Sequence, residues 1–117
     1  LASLNSARAK GTDAAIKSTL AQIRTQASLY YDNNGQKYIP SGTTGTSCST
    51  ALSVFVDPTI ANQINSAKVN AGADPLCAVS TDAWVVSSPL KTAGNWCVDS
   101  TGVATSTTAD TVNIKCN

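Results

Sequence analysis

Ile16-Lys17-Ser18-Thr19-Leu20-Ala21-Gln22-Ile23-Arg24-Thr25-Gln26-Ala27-Ser28-Leu29-Tyr30 places Ile16, Leu20, Ile23, Ala27 and Tyr30 at steps of 4, 3, 4 and 3. That spacing draws one apolar stripe on a helix of 3.6-residue period. Helix-forming residues continue upstream to Leu1 without a break, so residues 1–31 are expected to form a single helix. At 1.5 Å per residue it would be roughly 46 Å long, whereas a domain of this size is only about 35 Å across. Counting back by sevens from Leu20 reaches Asp13 and Ser6, so the apolar seam is expected to fade before residue 14. Leu1, Leu4, Ala7 and Gly11 lie on a different face of the same helix. The N-terminal part should therefore protrude from its own domain. Leu1, Leu4 and Ala7 would then pack on neighbouring subunits, unless the segment is only a frayed stub. Nothing before Leu1 can serve as an N-cap, and the chain has no Met, which is what a processed or truncated product would look like.

Beyond the helix, Asp32-Asn33-Asn34-Gly35 supplies residues suited to a left-handed C-terminal stop. Lys37-Tyr38-Ile39-Pro40 then runs extended, because Pro40 disfavours helix in the residue before it. Ser41 to Thr50 is a small polar loop, expected to be tied down only by Cys48. Asp57 and Pro58 mark the start of a second helix, with Ile60, Ile64 and Ala67 on its buried edge and a stop at Asn70 to Pro75. From Leu76 the period becomes strand-like. Ala83 to Ser88 and Asn95 to Asp99 flank a hairpin turn at Lys91 to Gly94, and further strands are expected over Val103 to Thr107 and Thr111 to Cys116. The last of these would put Val112, Ile114 and Cys116 on one face.

One helix, a linker and then antiparallel strands make an α+β pattern in a single domain spanning 1–117. Its parts are a stalk helix (1–31), an αβ-loop with a short helix (32–75), and a sheet with a cysteine-bounded C-terminal region (76–117). Trp84 and Trp96 are expected in the sheet that the helix covers.

The net charge is +1, from 8 basic and 7 acidic residues, but the charges are unevenly placed. Residues 1–31 hold Arg8, Lys10, Lys17 and Arg24 against Asp13 alone; the remainder holds four lysines against six aspartates. Such a split could orient stacked subunits, although solvated surface charge needs no such purpose. With no His and no Glu, and no evident partner for Asp99, no catalytic constellation and no cofactor site is legible. Asp99 and Asp110 could offer oxygens to calcium, but turns collect such residues for their own reasons. The lack of His and of Cys-x-x-Cys spacing argues against zinc.

Cys48, Cys77, Cys97 and Cys116 fit two disulfides in an oxidising compartment. Three connectivities are open. Cys48–Cys77 with Cys97–Cys116 is favoured, because it pins the loop to the start of the sheet and the C-terminus to a middle strand. Closing loops of 29 and 19 residues would stabilise the fold by roughly 3–4 kcal/mol each on the chain-entropy account. Cys97 alternates out of phase with Trp96 and Val98, so its face must be the one that meets Cys116.

Leu1 to Lys10 resembles the helix just past the membrane-spanning part of bacterial type IV pilins. Leu29-Tyr30-Tyr31-Asp32-Asn33-Asn34-Gly35 resembles the end of their first helix, and Trp96 to Gly102 a strand–turn segment of pilins and pseudopilins. The likeness covers nearly the whole chain in order. It implies a type IV pilin-like fold and a structural subunit of an extracellular pilus or fimbrium serving adhesion, twitching motility or DNA uptake. Its partners would be other pilin subunits in a helical homopolymer, and the inner membrane before assembly through a missing apolar N-terminal segment. The fragment itself would be monomeric, with no specific nucleic acid to bind. The alternatives are a pseudopilin of a type II secretion system and a secreted, disulfide-stapled binding module.

Overall fold

The first helix, α1, runs from Ala2 to Asn33 in the computed structural model, which describes residues 2–117. Its buried side chains are Asp13, Ile16, Leu20, Ile23 and Ala27. The apolar seam ends at Ile16, as expected, but the buried stripe continues one position further, to the carboxylate of Asp13. The helix ends two residues later than expected, where the Gln36 N–H donates to the Tyr31 carbonyl at 2.8 Å across Gly35 at φ +69°.

The long polar segment after α1 is more structured than its composition suggests. Thr44–Gly45 forms a two-residue strand, β1, so the Ser41 to Thr50 loop is anchored by backbone pairing as well as by Cys48. A Cβ at Gly45 would collide with the Thr50 side chain, so only glycine allows this close approach. A 3₁₀ turn, Val54–Val56, drops Phe55 into the core, and Ser53 caps it by accepting the Phe55 N–H at 3.1 Å. Then α2 (Pro58–Ala71) begins at Asp57, whose carboxylate accepts the Ile60 N–H at 3.2 Å, and ends at Gly72 in the left-handed region. Ile60, Ile64 and Ala67 are its buried edge, and they pack with the seam of α1.

The strands β2 (Leu76–Ser80), β3 (Trp84–Pro89), β4 (Asn95–Asp99) and β5 (Ala104–Thr105) join β1 in an antiparallel sheet of order β1-β2-β3-β4-β5. Alternation divides its residues cleanly. Cys77, Val79, Trp84, Val86 and Val98 face the helices, together with Ile16, Leu20, Ile23 and Phe55. Ala78, Val85 and Cys97 face the other way, onto Ala109 and Cys116. That second face is covered by a separate two-stranded ribbon, β6 (Ala109–Asp110) with β7 (Lys115–Cys116). The fold is thus α+β, a 32-residue helix packed on a five-stranded antiparallel sheet with a short helix between.

The C-terminal strands are shorter than expected. Only Ala104–Thr105 and Lys115–Cys116 pair within the stretches Val103 to Thr107 and Thr111 to Cys116. Asp110 is the reason for the second difference. Its carboxylate accepts the N–H groups of Val112 and Asn113, both at 2.9 Å, and curls the backbone into a turn. Val112 is consequently 86% exposed, and Ile114 has φ +55°, so the expected face of Val112, Ile114 and Cys116 does not form.

Candidate functional site

The molecule measures 52 × 25 × 21 Å, and α1 sets the long dimension. Every residue from Ala2 to Arg8 is exposed, whereas the seam from Asp13 to Ala27 is covered by the rest of the chain. Leu4 is 50% exposed and Ala7 is also exposed, so neither contributes to the core. Leu1, read with them as a packing residue, lies outside the described residues. The helix therefore has two functional lengths, a docked part and a free part carrying apolar side chains with no cover from their own domain.

The junction between them is polar. Asp13 is 8% exposed, held against the β3–β4 connection by the N–H groups of Lys91 (2.5 Å) and Thr92 (3.3 Å) and by the Thr92 hydroxyl. Burial pushes its carboxyl pKa up, but the three hydrogen bonds and the nearby Lys17 charge outweigh this and hold it below the ordinary 3.8. One turn further on, the Lys17 ammonium sits 4.5 Å from the centroid of the half-buried Trp96 ring. Sequence reading missed the role of Asp13, because an acidic residue at a seam position reads as the end of the seam. Its spacing of seven from Leu20 was the available signal.

Of the three connectivities the sequence allows, the structure has Cys48–Cys77 and Cys97–Cys116, and the described residues include no free cysteine. The first bridge ties the β1 loop to β2, and the second ties the β6–β7 ribbon to β4. Two such bridges place the protein in an oxidising, extracytoplasmic compartment.

Asp99 does have partners. It is 1% exposed and accepts from the Thr101 N–H (2.9 Å) and hydroxyl (2.6 Å), the Val103 N–H (3.3 Å) and the Cys116 N–H (2.9 Å). Burial raises its pKa, and these bonds lower it further than burial raises it, so the group stays ionised. The carboxylate staples the β4–β5 turn to the C-terminus beside the Cys97–Cys116 bridge. Asp110 is occupied in its own turn. Among the described residues no group of three or more metal-ligating side chains converges.

A cleft of about 700 Å³ opens between α2 and the β1 loop, walled by Val56, Ile64, Pro75, Leu76 and the Cys48–Cys77 bridge, with the Lys68–Asp74 ion pair (2.9 Å) at its rim. Among the described residues no helix is long and apolar enough to cross a membrane. The architecture, a long N-terminal helix on an antiparallel sheet with disulfides, is pilin-like. No known family, curated protein or solved structure matches the chain.

Proposed function

We propose that this protein is a structural subunit of an extracellular type IV pilus filament, serving adhesion, twitching motility or DNA uptake. The observation that carries the reading is the free part of α1, which presents Leu4 and Ala7 with no cover from the protein's own domain. Apolar side chains aligned on a protruding helix gain from burial against a neighbouring helix, at roughly 25 cal/mol per Å² of apolar surface covered. The partners are further copies of the same chain. A contact between the free helix of one copy and a different surface of the next is heterologous, and repeated without closure it makes a helical filament. The basic helix and the more acidic remainder of the chain favour the same head-to-tail arrangement.

The test is Leu4→Asp, made in the bacterium that produces the protein. Surface filaments seen by electron microscopy should disappear while protein levels hold. The purified domain should keep its melting temperature, because Leu4 lies outside the core. Normal filaments from the variant would overturn the reading and favour a secreted binding module.

A further inference from the structure

The segment that ends α1, Asp32-Asn33-Asn34-Gly35-Gln36, contains the chain's single Asn-Gly pair. Asn34 is exposed, and the space around Gly35 is open: even an added Cβ there would meet nothing within 4 Å. The backbone donors on either side are committed. The Asn34 N–H donates to the Tyr31 carbonyl at 3.3 Å, and the Gln36 N–H donates to the same oxygen at 2.8 Å. Among the described residues, the Gly35 N–H between them has no acceptor. Its proton is therefore open to solvent base, and glycine has no Cβ to shield the nitrogen. Asn5-Ser6 and Asn65-Ser66 are chemically the nearest comparisons, but they lie inside α1 and α2, where the serine N–H belongs to the helical hydrogen-bond ladder. The Asn34 side chain is ordered beside the same turn, its Nδ2 donating to the Tyr30 carbonyl at 2.8 Å.

We propose that Asn34 is a site of spontaneous deamidation in the folded protein. Hydroxide removes the Gly35 amide proton, and the nitrogen attacks Cγ of Asn34. The Cγ–Nδ2 bond breaks, Nδ2 takes a proton from water and leaves as ammonia, and a five-membered imide closes. Water then adds at one imide carbonyl. Opening on one side gives aspartate; opening on the other gives isoaspartate, with the main chain rerouted through Cγ. Nothing is oxidised or reduced, and water is the only co-reactant.

The product differs from the starting protein at a structural joint. An amide that donated to the Tyr30 carbonyl is replaced by a carboxylate that repels it. The new negative charge also sits at the helix C-terminus, the negative end of the backbone dipole, close to Asp32. The last turn of α1 should loosen, and with it the packing of Tyr31 on Tyr38, whose ring centroids lie 4.7 Å apart.

The purified, disulfide-intact chain would be incubated at body temperature in neutral and mildly alkaline buffer, then digested and mapped by mass spectrometry with an isoaspartate-specific methylation assay. The expected result is a one-dalton gain confined to the Asn34 peptide, rising with hydroxide, with isoaspartate as the larger product. Asn34→Gln should abolish the gain, and the Asn65 peptide should stay unchanged. Two results would overturn the proposal. One is an intact Asn34 in the folded protein under conditions where the reduced, unfolded chain converts. The other is conversion of Asn65 as fast as that of Asn34, which would mean that the free Gly35 N–H does not set the site.

Discussion

Replacing Asp13 with alanine should loosen the grip of the domain on its own helix. The carboxylate accepts three hydrogen bonds from the β3–β4 connection, two from N–H groups and one from the Thr92 hydroxyl. Bonds to a charged acceptor contribute about 1.5–3 kcal/mol each, which would suggest a large loss. Lys91 and Thr92 are themselves exposed, however, so water can replace much of what the donors lose. The net cost should be about 2–3 kcal/mol, the value of one fully lost charge-assisted bond rather than three. Unfolding entropy of about 2.1 cal/mol/K per residue turns that into a fall in melting temperature of roughly 8–12 °C for a chain of 117 residues.

The sign of the pH dependence follows from the depressed pKa. Asp13 stabilises the fold above its ordinary value of 3.8, and that contribution disappears as pH falls through the lower folded value. The gap between wild type and Asp13→Ala should therefore be full at neutral pH and close in acid. Calorimetry across that range measures it, and a cycle with Thr92→Val isolates the hydroxyl bond. A melting temperature for Asp13→Ala within about 2 °C of wild type at neutral pH would amount to under about 1 kcal/mol and would refute the reasoning. So would a gap that persists unchanged in acid.

Asp99→Asn keeps the shape of a side chain that is 1% exposed but turns one acceptor oxygen into a donor facing an N–H, and should cost about 3 kcal/mol. Hydrogen exchange should show the Cys116 amide losing protection first, and the wild-type contribution should fade as pH drops below the usual carboxylate range, since this pKa is also depressed. Under graded reductant, Cys48–Cys77 should open before Cys97–Cys116, because Cys48 is half-buried on the cleft wall while Cys97 and Cys116 are both buried. Differential alkylation with peptide mapping reads the order; simultaneous opening would show that access does not control it.

Local period carried much of the fold into view. The steps from Ile16 to Ala27, the Asp57-Pro58 start of α2 and the β3–β4 hairpin are each signalled by residues within a few positions of one another. The out-of-phase position of Cys97 was legible for the same reason, since alternation alone puts it opposite Trp96 and Val98. The role of Asp13 was hidden because its partners lie 78 and 79 positions away, and that of Asp99 because the bond that ties its local turn with Thr101 and Val103 to the C-terminus comes from Cys116, 17 positions on. A two-residue strand such as β1 has no period to read at all. Val112 went the other way, because a local side-chain-to-backbone bond from Asp110 overrode an apolar alternation that looked like a strand. The exposed faces of Leu4 and Ala7 follow from length against domain size, an argument about reach rather than pattern.

The two outer strands of the sheet have a consequence for how copies of this protein can join. β1 and β5 are two residues each, and the first is closed in by Thr50 at Gly45. An incoming strand would find too few free backbone groups to add to the sheet in register. Cross-β stacking and strand donation are thereby denied a template at these two edges, even in a chain rich in Thr and Val. A filament of the kind proposed would have to be held by side chains rather than by a shared backbone ladder, so separating its subunits would not require pulling a strand out of any sheet.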